Sequence, residues 1–212
     1  MSIDIENILT ELKKRRAIFV SEADFQFSIA WIIQEQYPKF NIRLEYCPDF
    51  DRTMHIDILI IDNEGKWIPI ELKYKTKGCS LRIEEGEYVL ANHSAKDVNC
   101  YLYLKDLQRI ETIKGKKPSV FSEGYAIMLT NDPTYRNEPR KRDCIYKEFS
   151  LYDGAIKSGT MRWSENASQG TIRGNEKPIE LKGEYKIEWK EYGSVEDSKA
   201  GKFYYLCNRI GR

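Results

Sequence analysis

Two strands joined by a tight turn, within residues 54–73, constrain the fold of this chain more than any other part of its sequence. Residues 56–61 are almost wholly apolar and β-branched, which indicates a strand buried on both faces, yet Asp57 lies near its start. An Asp-Asn-Glu-Gly turn follows, and the second strand ends in Glu-Leu-Lys. Side chains alternate along a strand, so Glu71 and Lys73 share a face, and hairpin pairing would bring both close to Asp57.

The residue types in this predicted patch favour one kind of chemistry. Two converging carboxylates repel each other unless a cation relieves the repulsion. A divalent cation that prefers oxygen ligands, such as Mg²⁺, needs few protein carboxylates and retains several waters. A lysine beside such a cation suits phosphodiester hydrolysis, because it offsets the charge that develops on the phosphate. We therefore interpret Asp57, Glu71 and Lys73 as a candidate site for metal-dependent phosphodiester chemistry.

Asp57, a spacing of fourteen residues and the Glu-Leu-Lys sequence ending at Lys73 resemble the motif of the PD-(D/E)xK, or restriction endonuclease-like, nuclease superfamily. The resemblance implies an α/β fold with an αβββαβ core, in which helices flank a mixed central sheet. It also implies an endonuclease that uses Mg²⁺, with Mn²⁺ as the alternative. Asp57, Glu71 and the Leu72 carbonyl would bind the metal, and Lys73 would be the catalytic cation. Ile56 departs from the proline in the family's name.

The same residues allow a simpler structural interpretation, and a second acid competes with Asp57. Glu71 and Lys73 also suit a solvated pair on an edge strand, with Asp57 satisfied by His55. Pro-Asp at Asp49 matches the family's name more literally, but it lies in a turn-rich stretch outside any strand pattern. Asp57 is therefore the better candidate for the first acid.

The motif occurs twice in the chain, because residues 178–182 repeat Pro-Ile-Glu-Leu-Lys of residues 69–73 letter for letter. Loop-forming residues precede the second copy, where Asp57 precedes the first, so Glu180 has no predicted acid partner. Proline removes a hydrogen-bond donor from a strand, so Pro69 predicts a strand entry, a bulge or a local edge. We predict that the second copy is an ordinary strand entry.

The elements around the hairpin follow the order that the resemblance implies. Ser21 begins a predicted helix, and the resemblance makes Glu22, in its first turn, an accessory acid of the site. The helix dipole alone explains an acid at that position equally well. The remaining predictions are a helix at 4–19, a helix from 21 to about 37, a strand at 40–46, a linker up to about 95, a helix at 95–113 and a strand at 120–130.

The composition and the hydrophobic pattern change after residue 133. We therefore predict a nuclease-like core at 1–133 and a β-rich extension at 134–212, packed on the same domain. Residues 134–143 and 153–178 have the composition of loops. Alternation at 185–189 and 202–210 predicts a terminal hairpin, with a mobile loop at 191–201. The sequence leaves open whether these additional C-terminal strands extend the core sheet or form an annex.

A net charge of +1 argues against a surface that attracts nucleic acid as a whole. Affinity would then come from a few local cations. Lys75 lies on the face of Lys73, and Arg140, Arg142 and Arg162 are the best candidates outside the core, with Trp163 as a stacking group. The alternative is that these are solvated charges.

Cysteine and hydropathy patterns exclude several other classes. The five cysteines are far apart without a CxxC pair, and the chain has two histidines, so neither a zinc site nor a disulfide framework is indicated. No stretch approaches eighteen apolar residues, and no apolar leader is present, so we expect a cytoplasmic protein that does not interact with membranes.

Two functions from different classes follow. The first is a metal-dependent nuclease that acts on nucleic acid, with DNA favoured over RNA. The second is a non-catalytic nucleic-acid-binding or scaffold protein that retains the nuclease fold. The retained acid, acid and lysine favour the first, and the sequence leaves a homodimer open.

Overall fold

The computed structural model describes residues 2–83, 86–139, 144–195 and 199–211. The α-helices of these residues are α1 (Ile5–Arg15), α2 (Glu22–Gln36), α3 (Lys96–Lys116) and α4 (Gln169–Ile172). The strands are β1 (Asn41–Tyr46), β2 (Ile56–Ile61), β3 (Trp67–Lys75), β4 (Cys79–Ile83), β5 (Gly86–Leu90), β6 (Gly124–Thr130), β7 (Ile156–Met161), β8 (Ile179–Lys186), β9 (Trp189–Ser194) and β10 (Lys202–Ile210). Short 3₁₀ helices lie at Pro133–Arg136 and Lys199–Gly201.

A mixed six-stranded sheet in the order β1-β2-β3-β6-β10-β9 forms the centre of the fold. β3 and β6 are parallel, and the other neighbours are antiparallel. α1 and α2 contribute to one buried apolar cluster against the sheet, and α3 contributes to a second cluster. The predicted α/β architecture, a mixed sheet flanked by helices, is therefore confirmed.

The predicted hairpin is confirmed, because β2 and β3 pair as antiparallel neighbours joined by a tight turn. Asp62 stabilises the turn through one carboxylate oxygen, which accepts the N–H groups of Glu64 at 2.8 Å and Lys66 at 2.9 Å. Gly65 has a φ of +74°, a left-handed conformation that costs little for glycine. β3 is an inner strand, between β2 and β6. The edge-strand interpretation of Glu71 is therefore wrong.

Local signals located α2 well. Its N-cap is Ser21, whose side chain accepts the Asp24 N–H, and the helix ends before Pro38 as predicted. β1, α3 and β6 also occupy the predicted places, with boundaries that differ by a few residues. α1 is shorter than predicted, because Arg16 already has an extended backbone and its side chain binds Asp24.

Three stretches assigned to loops contain strands. The predicted linker before residue 95 holds β4 and β5, which pair as a separate two-stranded sheet. The predicted loop at 153–178 holds β7, which pairs with β8. β9 occupies the first part of the predicted loop at 191–201 and is the strand that pairs with β10. The terminal hairpin therefore exists, but with β9 rather than residues 185–189 as its first strand.

β9 and β10 belong to the central sheet, because β10 pairs with β6 along seven residue positions and β9 continues the sheet beyond it, whereas β7 and β8 form a separate two-stranded sheet. α3 packs against both β6 and β8, so the second copy of the motif lies beside that helix, in a separate sheet from the central strands. No helix within the described ranges is long and apolar enough to cross a membrane.

Candidate active site at the fork between β2 and β3

The candidate site lies where β2 and β3 stop pairing. Their ladder ends at Ile58 and Ile70, although β3 continues to Lys75. Backbone groups alternate sides along a strand, so the N–H groups of Leu72 and Tyr74 still face the side from which β2 has departed. Carboxylate oxygens, rather than a neighbouring strand, accept hydrogen bonds from these N–H groups.

Two acids accept hydrogen bonds from these two backbone N–H groups, which β2 no longer pairs with. Asp57 Oδ2 accepts the Leu72 N–H at 2.6 Å, and Glu22 Oε2 accepts the Tyr74 N–H at 2.8 Å. Glu22 also binds Lys75 Nζ at 2.9 Å. Two predicted acids are thus brought to the same fork from different elements, one from the start of α2 and one from β2. His55 is not the partner of Asp57.

Glu71 is the least satisfied group of the site. It is 1% exposed, and neither carboxylate oxygen accepts a hydrogen bond from any residue that the structure describes. Arg109 Nη1 lies 3.3 Å from Glu71 Oε2, outside hydrogen-bond geometry. Burial raises the pKa of Glu71 well above its usual value, and the nearby carboxylates of Asp106 and Asp57 raise it further. An orphaned buried carboxylate is costly unless a cation compensates it.

Lys73 projects beside Glu71 and is held by two oxygens. Its Nζ lies 2.7 Å from Asp106 Oδ2 and donates to the Leu72 carbonyl at 2.9 Å. Burial alone would lower the pKa of Lys73, but Asp106, with Asp57 and Glu22, outweighs it and raises the pKa above the ordinary value. Lys73 is therefore a cation throughout the neutral range.

Asp106 and Arg109 complete the site, and the sequence analysis missed both. Asp106 is 3% exposed and holds Lys73, and its Oδ1 lies 3.2 Å from Arg109 Nη1. One signal could have found them. Positions 102, 106, 109 and 113 form a helical stripe in which two charged residues separate Leu102 from Ile113, both of which pack into the core. Tyr101, on another face of α3, is buried against Trp163.

The donors at the fork fit a divalent cation with oxygen ligands. Among the residues that the structure describes, no three His, Cys, Asp or Glu side chains are grouped so as to hold a metal ion. Two carboxylates with a backbone carbonyl are sufficient for Mg²⁺, which keeps several waters. Asp57, Glu71 and the Leu72 carbonyl provide that set, and Arg109 and Lys73 place positive charge beside it.

The second copy of the motif has a different environment. Glu180 and Lys182 are exposed on β8, and Glu180 lies opposite Thr160 of β7, where no acid corresponds to Asp57. The competing acid Asp49 is also at the surface, 2.9 Å from Lys117. The buried carboxylate beside the second copy is Glu111 of α3, which accepts the backbone N–H groups of Lys182 and Gly183.

Only one of the residues predicted to contact nucleic acid lies at the fork in the described part of the chain. Lys75 lies at the fork, paired with Glu22. Arg162 is exposed directly after β7, outside the central sheet, and Arg140 and Arg142 lie outside the described residues. Trp163 is not free to stack on a base, because it packs against Phe149 with ring centroids 4.8 Å apart and its indole N–H binds the Asn175 carbonyl.

Comparisons of this chain with models of protein families, with curated proteins and with solved structures found no match. The geometry of the fork is therefore the basis for assigning a function to this protein.

The pH dependence of stability should report on Asp57. Burial raises its pKa from 3.8 to about 6, against the attraction of Lys73. An acid with a raised folded-state pKa costs nothing below the unfolded pKa and its full penalty above the folded one. We expect Asp57→Asn to gain up to about 3 kcal/mol relative to wild type between pH 4 and pH 7, by urea denaturation without metal. A difference between the two proteins that stays constant with pH would contradict this environment for Asp57.

Proposed function

We propose that this protein is a metal-dependent nuclease that hydrolyses phosphodiester bonds in nucleic acid, with DNA as the first substrate to test. The observation that carries the proposal is the buried Glu71 carboxylate, which accepts no hydrogen bond from the described part of the chain and lies beside Asp57 and a permanently charged Lys73. A buried carboxyl group without hydrogen bonds and with a strongly raised pKa marks a candidate functional site.

The fold supports the same proposal. α2, β1, β2, β3, α3 and β6 follow each other in the αβββαβ order of the restriction endonuclease-like superfamily, interrupted by the β4–β5 hairpin. The acid, acid and lysine of the resemblance meet at one fork of the sheet. We therefore assign the chain a restriction endonuclease-like core as part of the proposal.

Each residue of the fork has a role in this proposal. Asp57 and Glu71, with the Leu72 carbonyl, would hold Mg²⁺ or Mn²⁺. Such a cation polarises a phosphoryl oxygen and acidifies water. Asp57 can bind it with Oδ1, because its Oδ2 is occupied by the Leu72 N–H.

Lys73 supplies a fixed positive charge rather than a base. Its raised pKa keeps it protonated, and the contacts with Asp106 and the Leu72 carbonyl hold it next to Glu71. A preorganised cation of this kind stabilises the charge that develops on a phosphate in the transition state. Glu22 holds Lys75 at the fork, where Lys75 can contact the phosphate backbone of the nucleic acid.

A cleavage assay tests the proposal. Labelled single- and double-stranded DNA and RNA are incubated with Mg²⁺, with Mn²⁺ and with excess EDTA. We expect cleavage of at least one substrate, its loss in EDTA, and its loss in Asp57→Asn. Intact substrates under every condition would contradict a nuclease and would favour the non-catalytic scaffold. Cleavage that persists in EDTA would contradict the metal.

A further inference from the structure

Arg109 occupies an unusual position at the fork. Its guanidinium lies 3.3 Å from Glu71 Oε2 and 3.2 Å from Asp106 Oδ1, both measured from Nη1, and Nη2 donates to the His55 carbonyl. The Arg109 side chain is 26% exposed, whereas the Glu71 side chain is fully buried. A partly solvated cation therefore reaches inward to a carboxylate that water does not reach.

The contact with Glu71 is electrostatic and incomplete. Arg109 makes hydrogen bonds to Asp106 and to the His55 carbonyl, but none to Glu71. The Arg109 charge is a principal influence that favours the ionised form of Glu71. The guanidinium is therefore anchored by Asp106 and the His55 carbonyl, and it acts on Glu71 through its charge alone.

We propose that Arg109 is a built-in counter-ion that competes with the divalent cation for Glu71 and so keeps the cation affinity of the site low. This inference depends on the proposed function, because it presumes that Asp57 and Glu71 bind a divalent cation. Two cations at one buried carboxylate repel each other strongly at separations of a few ångströms. Binding of the divalent ion must therefore displace the guanidinium from Glu71 or work against its charge.

Cation affinity measured without substrate tests the inference. Dissociation constants for Ca²⁺ and Mn²⁺ are measured by calorimetry at pH 8.5, where protons compete least for a buried carboxyl. We expect Arg109→Gln to bind both ions on the order of tenfold more tightly than wild type, because one unit of repulsion is removed. Arg109→Met, which keeps the aliphatic packing, replaces it as the test variant if the glutamine variant does not fold.

Two control variants separate competition from other effects. Arg109→Lys keeps the charge and should bind the ions nearly as weakly as wild type. Lys114→Gln removes the same charge from the same helix, at a side chain that binds the Gly211 carbonyl away from the fork, and should change affinity by less than about twofold.

Different outcomes would contradict the competition by Arg109 and the proposed metal site. Ion binding by wild type that is unchanged or weakened in Arg109→Gln would overturn the competition and leave the metal site intact. Tighter binding in Lys114→Gln equal to that in Arg109→Gln would also overturn it. No binding by either wild type or Arg109→Gln, or equal binding by Asp57→Asn, would overturn the metal site itself and with it the proposed function.

Discussion

Exchange of Glu71 for glutamine is expected to reduce nucleic-acid cleavage by about a thousandfold or more, whereas exchange of Glu180 for glutamine should change it by less than about twofold. Both glutamates occur in the same five-residue sequence. Glu71 is buried at the fork beside Asp57, and Glu180 is exposed on β8 opposite Thr160. A glutamine side chain keeps the shape of Glu71 but loses the charge that holds a divalent cation.

Stability measurements provide the control for this pair. Removal of one charge from a cluster of carboxylates relieves repulsion, so metal-free Glu71→Gln should unfold at the same temperature as wild type or higher. The lysines give an independent comparison, in which Lys73→Ala loses cleavage and Lys182→Ala does not. Equal losses in the two copies would mean that the fork is not the active site, or that both copies act in catalysis.

Replacement of Glu111 by alanine should cause the largest loss of stability of any substitution considered for this protein. Glu111 extends from α3 and is 7% exposed. Its carboxylate accepts the Lys182 N–H at 2.9 Å, the Gly183 N–H at 2.7 Å and the Tyr185 hydroxyl at 2.7 Å. It thereby fastens β8 to the helix that carries Asp106. Alanine leaves three donors without their acceptor, and we expect a loss of about 3 kcal/mol or more.

Urea denaturation measures this effect directly. Glu180→Ala is the matched control, because it removes an exposed glutamate from the strand that Glu111 holds, and it should lower the free energy of unfolding by less than about 0.5 kcal/mol. A loss below about 1 kcal/mol in Glu111→Ala would show that water replaces the carboxylate at these donors.

Much of the central fold was predictable because its signals are local. The Asp-Asn-Glu-Gly turn between apolar strands located the hairpin, and Ser21 located the start of α2. The strands that were missed have weaker signals. β7 is exposed at four of its six positions, and β4 has a single buried residue, so alternation with a buried face is faint in their sequences.

The site was only half predictable for a different reason. Asp57 and Glu71 could be paired because hairpin register follows from the turn. Asp106 and Arg109 lie on a helix some thirty residues later along the chain, and only the packing of α3 on the sheet brings them to Lys73 and Glu71. Nothing in the sequence states which face of that helix meets which strand. The sequence marks Asp106 and Arg109 only as two charged residues within an otherwise apolar stripe of the helix.

The repeated motif shows what a short sequence can and cannot specify. Pro-Ile-Glu-Leu-Lys forms or enters a strand in both copies. In the first copy the neighbours are β2, β6 and α3, which bury the glutamate and lysine, and in the second β7 leaves both exposed. Local conformation is thus shared, but burial, charge environment and chemistry come from the surrounding elements.

The central claim is that Asp57 and Glu71 hold a catalytic divalent cation, and anomalous diffraction from crystals grown with Mn²⁺ tests it most directly. We predict one strong manganese peak bound by Asp57, Glu71 and the Leu72 carbonyl, with metal-ligand distances of about 2.0–2.3 Å. The peak should vanish in Asp57→Asn. Manganese bound elsewhere, or a fork in which Arg109 still faces an unchanged Glu71 at saturating Mn²⁺, would contradict the account.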